Sequence, residues 1–408
     1  MKKIIILGAG TYQVDLIKKA KEMGLYTVVF SPGDYPGMKY ADKLVDVNIM
    51  DKDAVLEAAR AEKPDGIISD QTDMAVESIA YACEKLDLPG NGTEVVKFFI
   101  DKHLMRKKCE ELGLPSIRSE VTSDIDEARL LFREIGNPVI IKPVDSGGSR
   151  GVTKINSEEE LCRYFSEAAG YSSNGNVIIE KFIEGTEFEV DSIAVNGQIK
   201  PLMHADLQEF KIPNIFSSMT RLYPSTFDSE TIDRLLAYDA NVLKGFGLKQ
   251  GLTHSEYIME DKTGEIYLIE TAVRGGGTFI SSHIAELQTG LNTAEFLLNM
   301  ALGNLSSLPK FEHEKCHCGY VAFYLPPGRI VSIEGVEDVM NLDYVHKTTL
   351  EGIQIGDETK EFHDKRNRHA VILSGASRKE LLKRIKEVKS ILKIKVNADG
   401  SIRDPIWE

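Results

Sequence analysis

The chain has 408 residues, enough for two to four domains at roughly 100–200 residues each. Apolar residues make up 42% and charged residues 27%, and no apolar run reaches the roughly 18 residues of a membrane-spanning helix, so a transmembrane helix is excluded. A net charge of −14 argues against a nucleic-acid or anionic-membrane surface, which would need a basic stripe.

The first hundred residues alternate strand and helix. Lys3–Leu7 reads as a strand and Val14–Met23 as a helix. Thr27–Phe30, Asp53–Ala61, Gly66–Ser69 and Ala75–Leu86 continue the alternation. Such interleaving implies βαβ units and a parallel sheet. The apolar run after Met1-Lys2-Lys3 is short and ends in Gly8-Ala9-Gly10, so it reads as a first strand and turn rather than a signal peptide. The same glycines invite a dinucleotide reading. However, position 13 is Gln, and Phe30-Ser31-Pro32 ends the second strand without an acid, so both discriminating features are missing.

A boundary falls near residues 90–100, giving a first α/β domain over 1–98. A helix over Asp101–Leu112 opens a second domain, 99–305, with a small subdomain over about 115–178. Pro138–Lys142, Val152–Ile155 and Val177–Lys181 read as strands. Ser157–Ala169 reads as a helix with Ser157 as its cap. Glu187–Val195 and Gln198–Leu202 read as a hairpin over Asn196-Gly197, and Thr253–Met259 pairs with Glu265–Glu270 in a second hairpin. Ser306–Pro309 looks like a linker to a C-terminal α+β domain, 306–408. The five cysteines are scattered, which points to a reducing cytoplasm; Cys316-His317-Cys318 reads as alternation along a strand rather than a zinc site.

The chemistry-bearing residues concentrate between positions 102 and 274. The loop Asp145-Ser146-Gly147-Gly148-Ser149-Arg150-Gly151 lies between two strands; its N–H groups and hydroxyls can wrap phosphates. Lys142 closes an apolar strand just before it, where an unpaired ammonium would be costly to bury. In Glu180-Lys181-Phe182-Ile183, the backbone can pair with an adenine edge while Phe182 and Ile183 line the ring. Glu187 can accept from ribose hydroxyls. Glu256 and Glu270 lie on two strands that can pair, and two carboxylates in one cleft suit Mg²⁺. Arg274 opens Gly275-Gly276-Gly277 and can stabilise a transferring phosphoryl group.

In this order, Asp101-Lys102, Ile141-Lys142-Pro143, the glycine–serine loop, Glu180–Glu187 and Leu268–Arg274 resemble the ATP-grasp superfamily. The whole chain resembles its biotin carboxylase and carbamoyl phosphate synthetase branch, and it also resembles phosphoribosylglycinamide synthetase-type ligases. The resemblance implies a pre-ATP-grasp parallel-sheet domain, an ATP-grasp domain with a small lid, and a C-terminal domain. It also implies ATP and Mg²⁺ as cofactors and, as in many relatives, a homodimer. Residue by residue, it puts Lys102 and Lys142 on ATP phosphates, Ser146, Gly147, Gly148 and Ser149 on the lid loop, and Glu180, Lys181 and Ile183 at adenine. It puts Glu187 at ribose, Glu256 and Glu270 at magnesium, and Arg274 at the transferred phosphate. The usual motif, Glu-x-Asn-x-Arg, has Ala272 in place of the asparagine that holds a second magnesium; alanine offers no side-chain oxygen.

The expected activity is an ADP-forming ligase. It makes an acyl phosphate from a small carboxylate, and an amine then attacks that intermediate. Alternatives are a purine-pathway ligase acting on a ribotide amine and a nucleotide-binding subunit without turnover. The substrate region is expected around Gly10–Gln13, Asp70–Asp73 and Arg274–His283, with His254, Arg221, Arg366 and Arg368 within reach.

Overall fold

The computed structural model of the protein describes residues 1–362 and 367–408. Arg366, one of the expected substrate-side residues, lies outside the described residues.

The β-rich runs of the first segment form a four-stranded parallel sheet, ordered Lys43–Val45, Tyr26–Phe30, Lys3–Leu7, Gly66–Ile68. Ile5, Leu7, Val28 and Phe30 are buried on one face, packed with Val55, Ala59 and Cys83 of the flanking helices. Alternate residues Ile4, Ile6 and Val29 are buried on the other. A parallel sheet covered on both faces needs this near-continuous hydrophobicity. The turns at Gly8–Gly10 and Asp70–Asp73 therefore lie together at the carboxyl edge, where open α/β sheets bind ligands.

The lid is a second four-stranded sheet, ordered Ser119–Thr122, Val177–Lys181, Val139–Pro143, Thr153–Ile155. Helices Ile125–Ile135 and Glu158–Gly170 cover one face, packing on Val139, Ile141, Val177 and Ile179. The two-residue period of a strand then turns Ile140, Lys142, Ile178 and Glu180 to the opposite face. Asp124 and Ser157 cap the two helices by accepting amides two or three residues on.

The largest sheet has eight antiparallel strands, ordered Ile266–Ala272, Gly251–Glu260, Gly185–Val195, Gln198–Glu209, Ser218–Tyr223, His317–Tyr324, Arg368–Gly375, Val345–Thr348. Three of these strands come from the last hundred residues, so the C-terminal part extends the same sheet. Helices Thr93–Ile100, Lys102–Glu111 and Ser229–Gly245 contribute Phe99, Met105, Leu235 and Val242 to one face, against Phe188, Val190, Tyr257 and Leu268. The opposite face carries the polar residues described below. Behind the C-terminal strands, helix Arg378–Ile391 packs Leu381, Ile385 and Val388 onto Val321, Phe323, Val371 and Leu373. No helix among the described residues is long and apolar enough to cross a membrane.

Candidate active site

A cleft opens between the lid and the large sheet. The lid contributes Ile140, Lys142, Ser146, Ser149, Val152, Glu180, Lys181, Phe182 and Ile183 to its lining. The sheet contributes Glu187, Glu209, Glu256, Ile258, Ile269 and Glu270, and Lys102 enters from a helix N-terminus. The expected nucleotide residues are thus brought together, with three exceptions, Gly147, Gly148 and Arg274. Gly148 sits at the turn of the loop with φ +74°, beside Ser149 at φ +61°. Gly147 and Arg274 line a neighbouring cavity of about 1230 Å³, which shares Lys102, Ser146 and Glu270 with the cleft.

Lys142 is buried, and its Nζ lies 2.6 Å from Glu180 Oε2. Burial pushes the Lys142 ammonium below its usual range, against the pull of Glu180. The second Glu180 oxygen accepts from Arg106 Nε at 2.9 Å. Burial alone would raise the Glu180 carboxyl, but Arg106 and Lys142 hold it below its usual range. Glu180 is therefore the counter-ion of two cations, a role the sequence did not suggest. Arg106 is the largest wholly buried side chain of the molecule's core. Its Nη2 donates to the Ile269 carbonyl at 2.6 Å, tying helix Lys102–Glu111 to strand Ile266–Ala272.

The backbone around Phe182 is partly committed. Lys181 N donates to Arg118 O at 2.9 Å and Phe182 N to Pro138 O at 3.1 Å. The Phe182 ring sits beneath Lys154 Nζ, 3.7 Å from its centroid.

Across the sheet, strand register sets three carboxylates in one row: Glu189 faces Glu256, and Glu256 faces Glu270. Like charges directly opposite one another on neighbouring strands destabilise a sheet unless cations intervene. Arg221 supplies one, pairing with both Glu189 and Glu256. Lys102 supplies another, 3.3 Å from Glu270 while donating to Ser146 O at 2.9 Å. A register shift between Glu256 and Tyr257 inserts Ile269 as an extra residue opposite them. Without that bulge, Glu270 would share the orientation of Ile266 and Leu268 and point into the core. The bulge re-aims it into the cleft.

The next row is Asp191, His254 and Ala272. His254 Nδ1 lies 2.9 Å from Asp191 Oδ1, and its Nε2 lies 2.8 Å from Arg221 Nη1. Because a guanidinium only donates, Nε2 is the accepting nitrogen and Nδ1 carries the proton. Burial keeps the imidazole below its usual pKa. Glu189, Asp191 and His254 hold ligand atoms within 4.8 Å of one another. Glu189, Asp191 and Arg106 escaped the sequence reading; for the two acids, the carboxylate at every second position of Glu187–Asp191 was the available signal.

The expected substrate region is closely packed at its floor. Gln13 is buried and donates to Asp70 O at 2.6 Å, filling the space a third glycine would leave in a dinucleotide turn. Asp70 accepts from Gly275 N at 3.1 Å, and burial raises its carboxyl to about 6. Gln71 Oε1 accepts from Phe279 N at 3.1 Å. Arg368 Nη2 donates to Thr278 Oγ1 at 2.7 Å. Arg274 is held bidentately by Asp73, at 2.8 Å and 3.1 Å. The loop from Arg274 to Phe279 is thus anchored from both the N-terminal and the C-terminal parts.

Residues 101–308 match the family model described as carbamoyl-phosphate synthase L chain, ATP binding domain. The chain belongs to this ATP-grasp, ATP-binding family. Residues 321–397 match the L-amino acid ligase C-terminal domain 2. The carbamoyl phosphate synthase large chain of Clostridium acetobutylicum is 26% identical over 376 residues, 84% of this chain and 34% of that one. The alanine–anticapsin ligase of Bacillus subtilis is 28% identical over 277 residues, 61% of this chain and 57% of that one. The chain thus spans between a third and a little over half of these relatives. In fold, it is similar to the L-amino acid ligase from Bacillus licheniformis, with a TM-score of 0.85 at 21% identity, covering 97% of this chain and 98% of that one.

Proposed function

We propose that the protein is an ADP-forming carboxylate–amine ligase using ATP with Mg²⁺. The observation that carries this reading is that two charge sets line one cleft: Glu256 and Glu270 from the sheet, and Lys142 with Lys102 toward the lid. Two carboxylates on neighbouring strands that both line the cleft suit a hard dication, which takes oxygen ligands. Glu256 and Glu270 would hold it, and it would neutralise phosphate oxygens. With alanine at 272, a second ion would depend on Glu270, phosphates and water. The adenine would lie against Phe182 and Ile183, with its edge at the Ile183 amide, because the Lys181 and Phe182 amides already donate within the lid. Glu187 would accept from the ribose.

Catalysis of this kind is chiefly positioning and electrostatics. Lys102 and Lys142 orient the phosphates, and Arg274 stabilises the charge of the transferring group. A carboxylate oxygen of the substrate attacks the γ-phosphorus, and the bond to ADP breaks. The amine then attacks the acyl carbon, phosphate leaves, and the nitrogen gives up a proton. The lid limits water, which would otherwise hydrolyse the acyl phosphate.

An amino acid as carboxylate substrate is supported by the C-terminal match to amino acid ligases and by the similarity to alanine–anticapsin ligase. ADP release measured across a panel of amino acids and amines, with glycinamide ribotide included, tests this. The expected result is ADP formation that requires both an acid and an amine. Turnover with the ribotide alone would move the protein to purine chemistry, and tight ATP binding without ADP release under any pair would contradict a ligase.

A further inference from the structure

We infer that Asp73 is a positioning residue for Arg274, so that the N-terminal domain sets the geometry of the phosphoryl-transfer cation. This inference rests on the reading of Arg274 as a γ-phosphate ligand. Arg274 follows the strand Ile266–Ala272, but its guanidinium is not held by that strand's own domain. Nε and Nη2 donate to the two oxygens of Asp73 at 2.8 Å and 3.1 Å, and Nη1 donates to its neighbour's carbonyl, Gly275 O, at 3.2 Å. Asp73 lies in the turn after the strand Gly66–Ile68 of the parallel sheet. A guanidinium has five N–H donors in a rigid plane. Three are used here, and the plane is therefore fixed in tilt and rotation. The remaining two, one on each terminal nitrogen, are left for an anion. The cavity they line shares Lys102, Ser146 and Glu270 with the nucleotide cleft, so an anion there would be continuous with a bound polyphosphate.

A second contact links Asp73 to the phosphate loop. A Cβ added at Gly147 would come within 2.7 Å of Asp73 Oδ2. Gly147 has no positive φ, so close approach rather than backbone conformation explains the glycine. One carboxylate therefore touches the glycine–serine loop on one side and the arginine on the other. Lid position and arginine orientation are set against the same group.

The test is a double-mutant cycle on Asp73→Asn and Arg274→Ala, with Asp73→Glu as the conservative variant. Its first readout needs no turnover: the ratio of affinities for an unhydrolysable ATP analogue and for ADP, both with Mg²⁺, measured by calorimetry. Arg274→Ala should reduce this ratio about tenfold, Asp73→Asn should reduce it by a similar factor, and the double variant should lose no more than Arg274→Ala alone. Asp73→Glu, which keeps the charge, should recover part of the loss. In ADP formation, Asp73→Asn should lower kcat by roughly 10–100-fold with KM for ATP changed less than about threefold. Two results would overturn the inference: an unchanged affinity ratio in Asp73→Asn, or additive losses in the double variant. An Arg274→Ala ratio equal to wild type would overturn it too, by removing Arg274 from the γ-phosphate. If the wild type releases no ADP, the ligase reading fails, and the calorimetric cycle still decides the role of Asp73.

Discussion

Lys142 illustrates how far a single residue could be read. Its place in an apolar strand before a glycine–serine loop predicted an anionic partner. That partner is Glu180, at 2.6 Å, and Glu180 is shared with Arg106. Sequence showed the need for an anion but not which one, because pairing depends on which strands of the lid become neighbours. The charge arrangement nevertheless favours a phosphate role: Arg106 alone can neutralise Glu180, which leaves Lys142 as the cation in excess. Replacing Lys142 with alanine should therefore leave the chain folded and weaken ATP binding about 10–100-fold, the loss of one charge-assisted hydrogen bond of roughly 1.5–3 kcal/mol. Calorimetry, with thermal unfolding as a control, checks this. An affinity equal to that of wild type would remove Lys142 from the phosphates.

At the scale of elements, the regular pieces were legible and the irregular ones were not. Strands Lys3–Leu7 and Val177–Lys181 fall where the sequence put them. Strand Ser218–Tyr223 and helix Thr93–Ile100 were passed over. The second lies where a domain boundary was expected. The bulge at Ile269 was equally invisible. Parity along Ile266–Ala272 sends Glu270 to the core, and only the register shift seen across the two strands returns it to the cleft. Beyond it, the loop Gly275–Phe279 is tightly packed. A Cβ at Gly276 would lie 2.8 Å from both His254 Nδ1 and Ile280 Cγ2, whereas one at Gly277 would meet nothing within 4 Å. Thr278 and Phe279 follow at φ +56° and +60°, a strained pair held by Arg368 and Gln71. Gly276→Ala should therefore cost about 1–3 kcal/mol of stability by overpacking, and Gly277→Ala less than about 0.5 kcal/mol. Thermal unfolding of the two variants side by side tests this. Equal midpoints would mean the loop yields more easily than its contacts indicate.

At the scale of the whole molecule, three parts converge on one loop. The parallel sheet contributes Asp70, Gln71 and Asp73, the large sheet carries Arg274, and the C-terminal strand contributes Arg368. Alternating strands and helices announced the first part, and ordered motifs announced the second. What joined them was hidden, because each anchor lies some 90 to 208 residues from its partner, beyond the range of any local pattern. The proposed role of the cleft rests on its charges: Glu256 and Glu270 line it from the sheet, with Lys102 and Lys142 toward the lid. The most direct measurement is ATP affinity by calorimetry, with and without Mg²⁺, in the wild type and in Glu270→Gln. Wild type should bind ATP at least about tenfold more tightly with Mg²⁺, and Glu270→Gln, still folded, should lose most of that gain. A Glu270→Gln variant whose ATP affinity keeps the wild-type dependence on Mg²⁺ would contradict the assignment of the carboxylate row to a magnesium–nucleotide site.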